Sequence, residues 1–553
     1  MIVDAATPSK NRSPKPIMTA PRALRLLSLL LLIAAAPPLA RAQAQAPIPP
    51  AAHSAPAPAT LFNPATISSL LAGEGDLVIA RRRLDRAQLA SIYQKNDFRP
   101  LWNDQRRAEL AAALADAPSH GLDPGAFALP ETDAARVDIL LTDAFLRYAN
   151  ALARGRVSPG DFETDWAMPL PSFDPDTALA RAQKDGVSAY LASLAPADAD
   201  YANLRQAYAR YKAYTVSQAW RPLNLAVPLK PGDGNDDVAL LRRRLLAEGF
   251  ISPGNPDDGA QYDSGLTAAV TRFQETHGLP ADGVVGRATL TALNMAPGER
   301  MREIRLNLER RRSMPRENPP TRVEVEVPDA SVVYYEAGEA PLVMRAVVGL
   351  PDRPTPVLKT HMTAVTFNPF WNVPSSIIKA EIRPALKKDP HYLERNDYAY
   401  IDVPGGKQLA QLPGPKNALG HIKFEMPNAL DIYLHDTPAS GLFARVRRAW
   451  SHGCVRLGNP RELARRVLES SNWTMAMIDA AIATGKTQTI PLPHSIPVYM
   501  FYWTAFADPD GTVEFRDDLY GRDRRLNQAL VKRDLSEQLT PPARHLAAAP
   551  GKS

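Results

Sequence analysis

Cysteine is all but missing from this chain: Cys454 stands alone in 553 residues. A lone thiol cannot close a disulfide within its own chain, so no covalent framework holds the fold. Among the ten histidines there is no His-x-x-x-His pair, and no Cys-x-x-Cys exists. His452-Gly453-Cys454 is too tight for a usual zinc set, so no metal site and no cofactor is expected. Dense Lys/Arg tracts are missing too. The net charge of +6 (pI ≈ 9.2) is spread along the chain, which argues against a nucleic-acid partner and suits ordinary surface charge or a diffuse acidic polymer. Beyond the N-terminus no apolar stretch reaches the ~20 residues a membrane helix needs, so the mature chain is expected to carry no membrane span.

What is present begins with an export signal. Lys10, Arg12, Lys15, Arg22 and Arg25 precede an apolar run over 26–36, and Ala40-Arg41-Ala42 offers the small residues a signal peptidase reads. This predicts a signal peptide over 1–42, cut before Gln43, with Met18 as an alternative start. A free thiol in an oxidising compartment then needs a reason. A small buried apolar residue is one, a nucleophile the other. The histidine two before Cys454, the glycine between them and the arginine two after favour the nucleophile.

The hydrophobic fraction of 45% can fill several cores, and the 53 prolines mark loops and linkers. Residues 43–62 read as a Pro/Ala-rich linker. Residues 63–225 read as a helical scaffold domain, with Leu84, Leu89, Ile92 and Tyr93 at helical spacing and periodic helices over 138–154 and 199–214. No catalytic constellation stands out there. Residues 226–296 carry Val238, Leu241 and Leu245 on one helix, Ala269-Val270-Thr271-Arg272-Phe273-Gln274 on a second, and then Asp282-Gly283-Val284-Val285-Gly286-Arg287-Ala288-Thr289. This resembles the small three-helix peptidoglycan-binding domain. Residues 297–320 read as a charged connector helix and a linker. Residues 321–506 turn to strands: Val323, Val325 and Val327 alternate with Glu324 and Glu326, and short connections predict antiparallel pairing. A mixed stretch, about 371–411, reads as a lid insertion. Residues 490–502 read as a buried strand that completes the sheet. The remainder, 507–553, is a C-terminal extension, loose from about 537. The fold class is multidomain, with a β-rich mixed α+β domain beside two helical ones.

A thiol attacks an acyl carbon as thiolate, so it needs a base. His452 and His435 are candidates. His435 ends the strand Ile432-Tyr433-Leu434, which gives it more freedom to align, and it is favoured as base. The backbone N–H groups of Gly453 and Cys454 are natural donors to an oxyanion. Asn459 is expected to cap the following helix and bring its N-terminus near the loop.

His435-Asp436-Thr437 followed at an interval by Ser451-His452-Gly453-Cys454-Val455-Arg456 resembles the catalytic signature of the L,D-transpeptidases. Asn417-Ala418-Leu419-Gly420, residues 348–356 and residues 367–374 also look like that family, and the domain order resembles its large periplasmic branch. The resemblance implies a peptidoglycan L,D-transpeptidase in the periplasm. Cys454 would attack the L-centre carbonyl of a tetrapeptide stem and release D-Ala, and a second stem's amine would complete a 3–3 cross-link. His435 would be base and proton donor, oriented by the Asp436 backbone carbonyl, and His452 and Ser451 would support the loop. Arg456 would meet a stem carboxylate, and Trp371, Asn372 and Tyr433 would shape the donor groove. Hydrolysis of the same acyl-enzyme, transfer to a lipoprotein lysine, and a catalytically idle wall-binding protein are the alternatives. The partners implied are stem peptides and glycan; oligomeric state is not legible.

Overall fold

The computed structural model describes residues 64–537, apart from 128–132, 218–219, 226–227, 253–258 and 509. The expected signal segment, the 43–62 linker and the tail beyond 537 lie outside the described residues. Among those described, no helix is long and apolar enough to cross a membrane.

The scaffold region opens with a helix, Pro64–Leu71, and a hairpin of β1 (Leu77–Ile79) and β2 (Arg82–Leu84). Leu84, which its spacing puts on a helix, instead ends β2. The helix starts at Arg86, because Asp85 caps it by accepting from the Gln88 amide. The same capping chemistry starts four further helices, at Asn103, Asp133, Asp174 and Asp198. The long helix Ala134–Arg154 is the hub. Its Asp138 is fully buried and accepts from Tyr93 Oη at 2.7 Å and the Leu101 amide at 3.0 Å, the pairing that a buried carboxylate requires.

Three helices, Asp236–Ala247, Ser264–Thr276 and Arg287–Leu293, form the second unit. Gln274 explains its two sequence motifs. Its Nε2 donates to Asp282 Oδ1, the Val284 carbonyl and Thr289 Oγ1 at 2.9–3.1 Å, and its Oε1 accepts from the Gly283 amide at 2.9 Å. One buried amide thus ties the turn to the helix before it. The charged helix Pro297–Arg312, read from sequence as a connector, is largely buried. Arg312 has no exposed surface and pairs with Glu309, while Arg310 meets Asp523 at 2.5 Å and Arg311 meets Asp200 at 3.1 Å.

The strands that follow build the β-rich region. β3 (Trp166–Ala167) comes from the scaffold region. β4 (Arg322–Glu326), β5 (Ser331–Tyr335), β6 (Leu342–Gly349) and β7 (Val357–Phe367) follow the charged helix. β8 (Trp371–Asn372), β9 (Tyr398–Val403) and β10 (Gly406–Gln411) form a separate three-stranded sheet within residues 371–411. β11 (Ile422–Glu425), β12 (Leu434–His435), β13 (Ala449–Ser451), β14 (Val455–Leu457) and β15 (Gln488–Phe501) return to the main sheet, whose order is β11-β12-β14-β6-β5-β4-β15-β7-β3 with β13 on β6. β11 also pairs with β7, so the sheet closes on itself. Most pairs are antiparallel as expected. β12–β14, β6–β13, β4–β15 and β3–β7 are parallel, each joined by more chain than a hairpin uses. Val323, Val325, Met362, Phe424, Leu434 and Val455 are among the residues that fill the interior. β15 does complete the sheet, but its first half is mostly exposed and only the part from Ile496 is buried. Pro491 and Pro493 cannot donate to a ladder, and the register shifts there. A hairpin of β16 (Ala505–Ala507) and β17 (Val513–Phe515) and the helix Arg522–Glu537 end the described chain.

Candidate active site

Register brings the chemistry together. His435 lies opposite Arg456 on β14 and opposite Lys423 on β11. Leu434 and Val455 turn into the core between them. Side chains alternate along strands, so Lys423, Tyr433, His435 and Arg456 share the other face, at the end where the chain turns through Cys454. The Val455 amide donates to the Tyr433 carbonyl at 3.1 Å, which sets Cys454 beside Tyr433.

His435 is buried, and its Nδ1 donates to the Asp436 carbonyl at 2.5 Å. That bond fixes the tautomer and leaves Nε2 as the basic atom. Burial, reinforced by the Arg456 guanidinium, lowers its pKa to about 3. Cys454 keeps part of its surface accessible. Burial nonetheless raises its thiol to about 11, against the pull of the Tyr433 amide and hydroxyl, Lys423 and Arg456. The resting pair is therefore a neutral thiol and a neutral imidazole. Burial, reinforced by the neighbouring Cys454, holds the Tyr433 hydroxyl well above its ordinary range, and its ring meets that of His435 edge-on at 5.7 Å. The thiol lies 3.6 Å from the Asp431 carbonyl.

The loop is held by its own serine. Ser451 Oγ donates to the Cys454 carbonyl at 2.5 Å and accepts from the Gly453 amide at 3.2 Å. The Gly453 amide, one of the two expected oxyanion donors, is thus engaged within the loop. The Cys454 amide has no hydrogen-bond partner among the described residues. Asn459 makes no side-chain capping bond, and β14 lies between Cys454 and the helix Pro460–Val467, so the helix end does not start at the thiol.

Asn417 and Gly420 act behind His435. Asn417 Nδ2 donates to the carbonyls of Pro369, Gln411 and Leu412 at 2.9–3.2 Å, knotting the two ends of the lid. Gly420 has φ +60°, and any Cβ there would collide with the Asp436 carboxylate, which accepts from the amides of His421 at 2.8 Å and Thr437 at 2.7 Å.

Arg456 faces this site with a buried Nε that has no partner among the described residues. Asn372, expected in the groove, is exposed on β8 and makes no side-chain hydrogen bond to these residues. His452 is turned toward the lid: its Nε2 lies 2.6 Å from Glu381 Oε1, and Arg353 reaches the same oxygen at 3.0 Å. Glu381, Arg353 and Lys423 escape a sequence reading. Only the two-residue spacing of Lys423 and Glu425, which pair at 2.7 Å, hints at a charged face on β11. Among the described residues no cluster of His, Cys, Asp or Glu could hold a metal.

Residues 320–490 match the family model of the L,D-transpeptidase catalytic domain. Over this part the chain is similar to the L,D-transpeptidases. Residues 87–207 match a scaffold domain and residues 234–293 a peptidoglycan binding domain. A Haemophilus influenzae protein classed with the L,D-transpeptidases is 35% identical over 228 residues, which cover 38% of this chain and 46% of that protein. The chain thus spans less than half the length of this relative. A solved L,D-transpeptidase fragment from Xylanimonas cellulosilytica is 16% identical, covering 50% of this chain and 98% of its own at a TM-score of 0.19. One from Mycobacterium smegmatis is also 16% identical, covering 33% and 58% at a TM-score of 0.19. A segment similar to the L,D-transpeptidase catalytic domain and a helical segment similar to a peptidoglycan binding domain thus sit in one chain.

Proposed function

We propose that the chain is a peptidoglycan L,D-transpeptidase, working outside the cytoplasm, that forms 3–3 cross-links through a cysteinyl thioester. The observation that carries this reading is His435. Its tautomer is fixed by the Asp436 carbonyl, and it shares a sheet face with Cys454 and with an Arg456 whose Nε is unpartnered. Because thiol and imidazole are both neutral at rest, proton transfer accompanies attack. The Cys454 sulfur forms a bond to the carbonyl carbon of the third stem residue as its proton passes to His435 Nε2. The tetrahedral oxyanion takes the Cys454 amide as donor. The C–N bond to D-Ala then breaks, and His435 gives its proton to the departing amine. The acceptor amine bonds to the thioester carbon and loses a proton to His435; the C–S bond then breaks, and His435 returns that proton to the sulfur, restoring the thiol. Arg456 would bind a stem carboxylate, and the lid, carrying Trp371, would exclude water. The peptidoglycan-binding module would keep the domain on its polymer.

The test is mass spectrometry of the purified protein after incubation with a carbapenem, beside Cys454→Ala, followed by chromatography of products from tetrapeptide muropeptides. An adduct on the wild type alone, together with a 3–3 dimer, is the expected outcome. Stems shortened without dimer would mean that water is the acceptor. No adduct and an unreactive thiol would leave a wall-binding protein.

A further inference from the structure

Asp518-Leu519-Tyr520-Gly521-Arg522-Asp523, in the C-terminal extension, has no place in the chemistry above, yet every hydrogen-bonding side chain in it is engaged. Asp518 accepts from Tyr502 Oη and the Arg522 amide, both at 2.8 Å, and caps the last helix. Asp523 pairs with Arg310 at 2.5 Å. Tyr520 Oη donates to the Gly349 carbonyl at 2.8 Å and accepts from the Thr355 amide at 3.3 Å. Arg522 donates to the Thr355 carbonyl at 3.1 Å and pairs with Asp165 of the scaffold region. Both backbone groups of Thr355 are thus held by the extension.

The Thr355 hydroxyl faces the other way, into the Cys454 loop. It accepts from the Gly349 amide at 2.9 Å and donates to the Gly453 carbonyl at 2.7 Å. Thr355, Tyr520 and Arg522 are all buried, so water does not compete for these bonds. The Gly453 carbonyl and the Cys454 amide belong to one planar peptide unit. Holding the carbonyl oxygen on Thr355 turns the Cys454 N–H to the opposite side. That N–H is the loop donor left without a partner. Gly453 itself has φ +112°, where the backbone has no preference of its own to hold this plane.

We propose that Thr355 is a positioning residue which aims the Cys454 amide, and that Tyr520 and Arg522 brace it from the C-terminal extension and, through Asp165, from the scaffold region. This rests on the reading of Cys454 as the acylated nucleophile. It makes the flanking regions part of the catalytic apparatus, because the orientation of one peptide plane depends on them.

Thr355→Val, Thr355→Ser and Tyr520→Phe in the full chain test it, each remaining folded by thermal unfolding. Two rates are measured on Cys454: acylation by a carbapenem, which passes through an oxyanion, and alkylation by iodoacetamide, which does not. Thr355→Val is expected to slow acylation by about tenfold to a hundredfold with alkylation nearly unchanged, since an oxyanion donor is lost and the thiol is not. Thr355→Ser restores the hydroxyl and is expected to restore acylation, and Tyr520→Phe should fall between. Acylation of Thr355→Val at the wild-type rate overturns the proposal. So does a parallel fall in both rates, which a general loosening of the loop would give. A wild type that alkylates but never acylates overturns the transpeptidase reading itself.

Discussion

The Cys454 loop is gripped from two sides by different chemistry. On the lid side His452 and Arg353 meet Glu381, all of them partly exposed. On the other side Thr355, Tyr520 and Arg522 hold the loop through buried hydrogen bonds. Exposed ion pairs contribute roughly 0.2–1 kcal/mol and weaken with salt. A buried donor or acceptor left unpaired costs roughly 1–3 kcal/mol. The first contact costs little to break; the second costs more.

Five experiments would break or sharpen that contrast. The largest effect should come from the base: His435→Gln is expected to slow carbapenem acylation by about 10²- to 10⁴-fold. The pH profile carries the same information. His435, lowered to about 3, is neutral and basic above that value. Wild-type acylation should therefore be level through neutral pH and fall only as the pH drops toward 3. Alkylation should climb with pH toward the thiol value of about 11. An acylation limb near neutrality would point instead to a thiolate–imidazolium pair. Next is Gly420→Ala, whose methyl would strike the Asp436 carboxylate at a φ of +60°. Denaturant unfolding should show a loss of about 2–4 kcal/mol, with slower acylation because Asp436 carries the carbonyl that orients His435. Gln274→Leu should cost about 1–3 kcal/mol by stranding the Gly283 amide, read by calorimetry, while acylation of Cys454 stays at the wild-type rate. The smallest effect belongs to the lid contact. Glu381→Gln should raise the alkylation rate only about twofold to fivefold, and added salt should bring the wild type up to it.

How much of this was legible in the sequence follows chain distance. Cys454, Ser451, Gly453 and Arg456 are neighbours, and the spacing of His435 from them speaks only through its resemblance to the family signature. The three helices of residues 234–293 were readable because Gln274 and its partners lie within one short stretch. The strand over Val323, Val325 and Val327 was readable from alternation. Glu381 against His452, and Tyr520 against Thr355, are pairs that only the folded sheet brings together, and neither residue type is unusual where it stands. The helix Pro297–Arg312 was misleading for another reason. Its charge reads as that of a connector, but Arg310 and Arg311 find carboxylates from distant parts of the chain, Asp523 and Asp200, while Arg312 finds Glu309 on its own helix, and the distant partners come with no pattern. The engagement of the Gly453 amide by Ser451 depends on loop geometry, which residue identity does not specify.

The two residues of β3 have a consequence for anyone who would take this protein apart. Trp166 and Ala167 extend the catalytic sheet along β7, opposite Val357 and Leu358. A fragment begun at the family boundary near residue 320 would leave that strand edge bare and would strip Arg522 of Asp165. Bare edges invite pairing with other chains, so such a fragment is a candidate for aggregation rather than a smaller enzyme. A graft of this domain onto another wall-binding protein would have to carry a piece of the scaffold with it.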